Sequence, residues 1–334
     1  MQIVRTLDEG LWSEFVESNP QANIFHTPEM YEVFARTEGH GPHMWAATQN
    51  GRVLALLSPV WITLKDGVFR PLTTRAVLYG SVLCAASQEG HQALAKLLET
   101  YKREAKGGPL FTELRNLSDL SALQPILQEN DFVHEGHLNY LIDLNRPPEE
   151  IWSSLDGKVR TNVRKARKMG VVAEEVTSLD EVPAAYSLLS KVYEHIQIPL
   201  APLSLFQVAF EVLHPRGMVK MLLARVEDAH VGVAIRLLYK GTIHAWYAGA
   251  LRDYGSYKVN ELLNWHILEW GAQNGFECFD FGGAGRPDQD YGPRKFKAKF
   301  NGQLVNYGRN VCVHRPRLLQ FSEWGYQVYR RLLH

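Results

Sequence analysis

The sequence predicts an α/β protein of two tandem domains, each a mixed sheet with helices packed on it, and three observations carry that prediction. Two segments read alike, WAATQNGRVLALLSPVWI from Trp45 and LARVEDAHVGVAIRLLY from Leu223. The stretch that follows each has one spacing, 30 residues from Gly80 to Leu110 and 30 from Gly249 to Phe279. The chain has 334 residues, 46% hydrophobic and 22% charged, a globular composition with room for about two domains.

In the first repeat, strand-like residues flank Asn50-Gly51, the chemistry of a tight hairpin turn. An apolar strand ending at Gly80 follows, then a helix with Leu94, Leu97, Leu98, Tyr101 and Ala105 on one face, then the strand LFTEL from Leu110. The second repeat has a hairpin turn at Asp228-Ala229, a strand AWYAG ending at Gly249, a helix marked by Leu263, Ile267 and Trp270, and a strand around Phe279. Both helices stop at glycine, Gly107-Gly108 and Asn274-Gly275, where a left-handed residue is wanted. Three strands, a helix and a strand, twice over, is the core order of an acyltransferase-like fold of the GNAT type. The pair Pro147-Pro148 after strand LNYLIDL blocks continuation and sets the expected join, with a first domain over 1–146 and a second over 147–314. The tail, with Leu318, Leu319, Phe321, Trp324, Val328 and Leu332, reads as an amphipathic helix over 315–334 that packs back on the first domain.

Lys plus Arg and Asp plus Glu both number 36, so any polyanion site must be local. Cys84, Cys278 and Cys312 are scattered without a CxxC pair, which indicates neither a disulfide framework nor a thiolate metal cage. The thirteen histidines show no HExxH and no helical pair beside carboxylates, so no metal site is expected. Hydrolase, kinase and dehydrogenase signatures are missing as well. The opening MQIVRTLDEGLW lacks the basic-then-apolar order of a secretion signal, and the expectation is a cytoplasmic protein without integral membrane contact. Nothing in the string sets an oligomeric state.

Four places carry candidate chemistry. Lys158, Arg160, Arg164, Lys165, Arg167 and Lys168 form a run of six cations without an acid. On a helix, Arg160, Arg164, Arg167 and Lys168 share one face while Val159, Val163 and Ala166 face the sheet, a stripe suited to phosphates of a tRNA or a nucleotide-linked precursor, or else a solvated face. YGPRKFKAKFNG interleaves Arg294, Lys295, Lys297 and Lys299 with Phe296 and Phe300, which suits an RNA end whose base stacks on a ring while an ammonium meets phosphate or ester oxygen. Strand FECFDFGGAG ends in Asp280, Gly282 and Gly283, which permit close backbone approach; Asp280 either orients an attacking amine or is a buried, paired carboxylate. Arg252, Gly255 and Tyr257 form R-x-x-G-x-Y before a helix, where CoA-dependent GNAT enzymes read R/Q-x-x-G-x-G/A and hold a pyrophosphate; Tyr257 departs from that pattern. Tyr247 and Asn260 are expected to line the cleft.

Together the repeat, NIFHTPEMYEVF at 23–34, KVRTNVRKARKMGV at 158–171, and NELLNWHILEWGAQNGFECFDFGG running into RKFKAKFNG resemble the Fem family of non-ribosomal peptidyltransferases over nearly the whole chain. That resemblance implies two GNAT-like domains and transfer of an amino acid from aminoacyl-tRNA to a peptidoglycan precursor, for cell wall biogenesis, without a bound cofactor. Phe296 and Lys297 match the family's Phe-Lys pair, which makes Lys297 the group that stabilises charge on the reacting ester. Where family members commonly carry Trp and Lys after the aromatic-x-x-Pro motif, this chain has Met30 and Phe34, with Arg36 half a turn away as the cation for the precursor. No charged heptad segment is present to build a helical arm, so the chain resembles a compact, armless relative. The acceptor would be a nucleotide- or lipid-linked precursor. A second reading is a CoA-dependent N-acyltransferase of exopolysaccharide or small-metabolite biosynthesis, and a third is an RNA or nucleotide-sugar binding module without turnover.

Overall fold

The computed structural model describes residues 1–65 and 67–322. They divide into two compact units, Met1–Gly136 with the stretch from Tyr307 on, and His137–Asn306.

In the first unit Trp45–Gln49 pairs with Arg52–Leu57 as expected. Asn50 (φ 51°) and Gly51 (φ 75°) take the left-handed torsions of a two-residue hairpin turn. Ser58-Pro59 then interrupts the strand, because proline brings no N–H to the ladder, and Val60–Thr63 opens a different sheet. The unit therefore holds two sheets. One orders Gln2–Val4, Trp45–Gln49, Arg52–Leu57 and Leu83–Cys84; the other orders His40–Pro42, Val60–Thr63, Thr74–Leu78, Phe111–Arg115, Arg309–Val313 and Val133–Glu135. Thr74–Leu78 and Phe111–Arg115 are parallel and joined by the helix Gln88–Ala105, whose Leu94, Leu97, Leu98, Tyr101 and Ala105 are all fully buried. Each buried leucine contributes about 2 kcal/mol of burial free energy. The expected left-handed stop is not found there: neither Gly107 nor Gly108 has positive φ. Gly108 serves close packing instead, since a Cβ would lie 2.2 Å from the Trp61 ring.

The second unit is one seven-stranded sheet, in the order Val172–Glu175, Val219–Val226, Ala229–Tyr239, Thr242–Ala250, Cys278–Gly283, Asn139–Asp143 and Gln303–Val305. Its hairpin turns at Glu227-Asp228, one residue before the expected place, with Val226 opposite Ala229 and Glu227 at φ 50°. A one-residue slip would turn Leu222, Ala224 and Val226 away from the core they share with the helices, so packing sets the register. Helices Pro148–Ser154, Gly157–Lys168 and Val259–Gln273 bury Ile151, Val159, Val163, Leu263 and Ile267 on one face of the sheet. Val182–His195 and Leu203–Leu213 cover the other. Gly275 (φ 77°) ends Val259–Gln273 in the expected left-handed conformation.

The unit boundaries differ from the proline-based join. Asn139–Asp143 lies between Cys278–Gly283 and Gln303–Val305, so 145–149 falls inside the second unit. Pro147 and Pro148 start the helix Pro148–Ser154, a position proline favours because the first helical N–H has no partner. Arg309–Val313, expected in the second domain, pairs with Phe111–Arg115 in the first unit. Residues 316–322 are helical. Arg315 donates to the carbonyls of Lys106 (3.1 Å) and Gly107 (2.9 Å), and Ser322 Oγ to that of Leu72 (2.7 Å), all within the first unit. Trp324, Val328 and Leu332 lie outside the described residues.

Candidate functional site

The second unit builds its site where two parallel strands part. Thr242–Ala250 pairs with Cys278–Gly283 only from Thr242↔Cys278 to His244↔Asp280. Beyond that point each strand has a device that turns it away. Trp246 is bulged, since Ile235 lies opposite Tyr247 while Arg236 lies opposite Ala245. Gly282 has φ 70°, a torsion that favours glycine, and a Cβ on it would stand a tight 3.2 Å from the Ala245 carbonyl oxygen.

Asp280 occupies the last paired position and is buried. Its Oδ1 accepts from Asn139 Nδ2 (2.6 Å) and the Gly282 N–H (2.8 Å), and its Oδ2 from His244 Nδ1 (3.0 Å). Burial pushes this carboxyl up, but His244, the Gly282 amide and Asn139 outweigh it and hold Asp280 below the usual carboxylate range. Of the two roles the sequence left open, its contacts match the buried, partnered carboxylate, and through His244 it also orients a second titratable side chain.

Lys297 reaches the same place from the short helix Gly292–Ala298. Its Nζ donates to three successive carbonyls at the strand end, Phe281 (2.6 Å), Gly282 (3.0 Å) and Gly283 (2.9 Å). Burial lowers its pKa to about 8; Asp280 opposes the shift and Arg236 adds to it. The helix is held by Phe296 and Phe300, whose rings pack together (5.3 Å) and on Phe281 (6.5 and 5.1 Å). Arg294 Nε also donates to the Ala284 carbonyl at 2.8 Å. Phe296 thus spends part of its ring on the core, while Lys295 pairs with Asp290 (2.9 Å) on the surface.

Arg236, Asn139 and His244 were invisible in the string. Arg236 is 1% exposed, donates to the Ile235 and Tyr247 carbonyls (both 3.1 Å) and to Asn264 Oδ1 (3.1 Å), and its Nε has no hydrogen-bond partner among the described residues. Desolvation lowers its pKa to about 10, still a cation at neutral pH. It lies over the Phe279 ring (5.7 Å) as Lys297 lies over Phe281 (5.6 Å), and those rings meet edge to face at 4.9 Å. His244 is 36 residues from Asp280, a pairing that only the parallel register creates.

The other expected residues are more dispersed. Tyr247 stands in an aromatic wall with Phe206 (4.9 Å), Trp246 (5.1 Å) and Tyr193 (6.0 Å). Arg252 and Tyr257 bound a short helix, Arg252–Tyr257; Arg252 meets His195 (3.3 Å) and Tyr257 turns onto the core beside Tyr254. Asn260 is exposed. The basic helix buries Val159, Val163 and Ala166 as expected. Of its cations, Arg160 bonds the Ser153 carbonyl, Arg164 lies over Trp152 (5.4 Å), Arg167 pairs with Glu269 (3.4 Å), and Lys158 and Lys168 are exposed. Lys299 is half-buried, its carbonyl accepting from the Asp156 N–H. Arg36 belongs to the first unit and pairs with Glu32 at 3.2 Å. Among the described residues no cluster of His, Cys, Asp and Glu is arranged for a metal, and no helix is long and apolar enough to cross a membrane.

Residues 153–297 match the family model of the acetyltransferase (GNAT) domain. No curated protein matches the chain. Among solved structures, FemX covers 96% of this chain and 99% of its own, with TM-score 0.72 and 14% identity. L-PGS from Bacillus licheniformis covers 96% and 97%, with TM-score 0.59 and 12% identity. A tandem GNAT protein from the clavulanic acid biosynthesis pathway covers 94% and 98%, with TM-score 0.58 and 12% identity. The chain has the tandem GNAT fold of these proteins, and acyl transfer is the class of chemistry the domain match supports.

Proposed function

We propose that the protein moves an aminoacyl group from aminoacyl-tRNA to the amine of a peptidoglycan precursor or a related envelope peptide, in the cytoplasm. The observation that carries this reading is Lys297, a partly buried ammonium seated on three carbonyls where the two strands separate. An aminoacyl ester is already activated, so the protein has only to align the amine and stabilise the oxyanion. Lys297 serves the oxyanion by exchanging its outermost bond, to Gly283, for the developing charge. Asp280 and Asn139 hold the strand end in place. The exposed Lys158 and Lys168, with Arg160, Arg164, Arg167, Lys295 and Lys299, supply cations for tRNA phosphates, and Arg36 one for the acceptor's phosphate. The FemX-like fold and the Phe296-Lys297 pair support the same donor.

One observation favours acyl-CoA as the alternative donor. Tyr257 packs on the core, so its bulk does not fill the turn formed by Arg252–Tyr257 ahead of Val259–Gln273. The test is to supply labelled aminoacyl-tRNAs, and separately acyl-CoAs, with envelope-precursor extract and follow label into a non-RNA product. Transfer from tRNA that Lys297→Ala lowers far more than it lowers tRNA binding supports the proposal. Transfer from CoA alone replaces the donor, and equal losses of turnover and binding reduce Lys297 to a phosphate anchor.

A further inference from the structure

We infer that His244 is the proton acceptor of the transfer, an assignment that rests on the acyl-transfer reading above. Two placements carry it. His244 is the last residue of its strand to pair before the separation, opposite Asp280, whose neighbour Phe281 supplies the first of the carbonyls that seat Lys297. The alternation of each strand also puts the pair on a common side: Ile243 and Phe279 are buried in the core under the helices, so His244 and Asp280 turn to the opposite face. There the His244 side chain keeps 15% of its surface accessible while Asp280 keeps 5%. The carboxylate is the inner member and the imidazole the outer one.

Asp280 also settles which ring nitrogen does what. A carboxylate with its acceptor sites turned to donors requires hydrogen on His244 Nδ1, at 3.0 Å, and that tautomer makes Nε2 the basic atom of the ring. Asn139 and the Gly282 amide hold the other carboxylate oxygen, so Asp280 cannot rotate away from the imidazole. The arrangement is a buried acid orienting an imidazole that keeps part of its surface accessible beside the strand separation.

The step balances without a further reactant. The acceptor amine nitrogen forms a bond to the ester carbonyl carbon, and the carbonyl electron pair moves to oxygen, opposite the Lys297 ammonium. His244 Nε2 takes the proton from that nitrogen. The oxyanion pair then re-forms the carbonyl, the ester C–O bond breaks, and the imidazolium returns the proton to the leaving ribose oxygen, or to sulfur if the donor is a thioester. The products are an amide and a free hydroxyl or thiol, and Asp280 stays ionised throughout.

The test compares wild type, His244→Gly and His244→Asn in the transfer assay, with and without added imidazole, after melting curves show that the variants fold. His244→Asn keeps a donor for Asp280 and removes the ring base. Both variants should lose about 100-fold or more in kcat with the acceptor KM within about twofold, and imidazole should restore turnover to His244→Gly but not to His244→Asn. Near-normal turnover of either variant, or a deep loss in His244→Gly that imidazole leaves untouched, overturns the assignment of His244 and leaves the acyl-transfer reading standing. A wild-type protein that transfers nothing from tRNA or CoA overturns the acyl-transfer reading itself.

Discussion

Lys297 should lose its proton near pH 8, and transfer should fail with it. Burial brings this lysine from 10.5 to about 8, with Arg236 pushing the same way and Asp280 against. The shift corresponds to about 3 kcal/mol of disfavoured cation. If the ammonium stabilises the oxyanion, kcat falls about tenfold per pH unit above about pH 8. Hydroxylamine is the acceptor to use, because it is already unprotonated at neutral pH and the profile then reports the enzyme. Single-turnover rates, together with the Lys297 13Cε chemical shift, should give the same midpoint. Lys297→Arg should run slower, since a planar guanidinium cannot seat one nitrogen on three carbonyls, but its alkaline fall should disappear. A rate that climbs through pH 8 would refute the reasoning and make neutral Lys297 a base. Stability follows in sign. The folded value is below the unfolded one, so the cost of the cation is fully present below about pH 8 and vanishes as pH rises towards 10.5. Wild type should gain stability over that window, measured by urea unfolding, and Lys297→Met should lack that gain.

Asp280→Asn should cost about 2–4 kcal/mol at neutral pH and move the His244 proton to Nε2, read from imidazole 15N shifts. Because the folded Asp280 value is depressed, its stabilisation is present above about pH 4 and lost as pH falls through the folded value, so the variant should lack that acid-side loss. Gly282→Ala meets a φ of 70° and the Ala245 carbonyl, and should cost about 1–3 kcal/mol in unfolding free energy while lowering kcat. Arg236→Met removes a cation that lowers Lys297, so the Lys297 midpoint should rise in the same 13Cε titration. Lys158→Glu with Lys168→Glu should weaken tRNA binding and reduce the slope of log affinity against log salt by about 2, whereas variants at Arg167, already paired with Glu269, should change it less.

Local patterns were legible wherever the physics is local. The period of Leu94, Leu97, Leu98, Tyr101 and Ala105 marks a helix because burial on a sheet needs one apolar face, and those side chains are the buried ones. Asn50-Gly51 and Gly275 were readable because few residues tolerate positive φ. Val159, Val163 and Ala166 separated the buried face of the basic helix from its cations. Non-local choices were not legible. Pro147 and Pro148 signal a helix start, but which sheet takes Asn139–Asp143 or Arg309–Val313 depends on strand edges far away in the chain. Lys297 and Asp280 stood out by composition and resemblance, yet the seat of the one on three carbonyls and the commitment of the other to three donors come from strands that part after His244↔Asp280. Arg236 and His244 had no local signal at all. Residue type is written in the chain, but burial, hydrogen-bond partners and shifted proton affinities are properties of neighbours, and only tertiary structure brings together groups 36 residues apart.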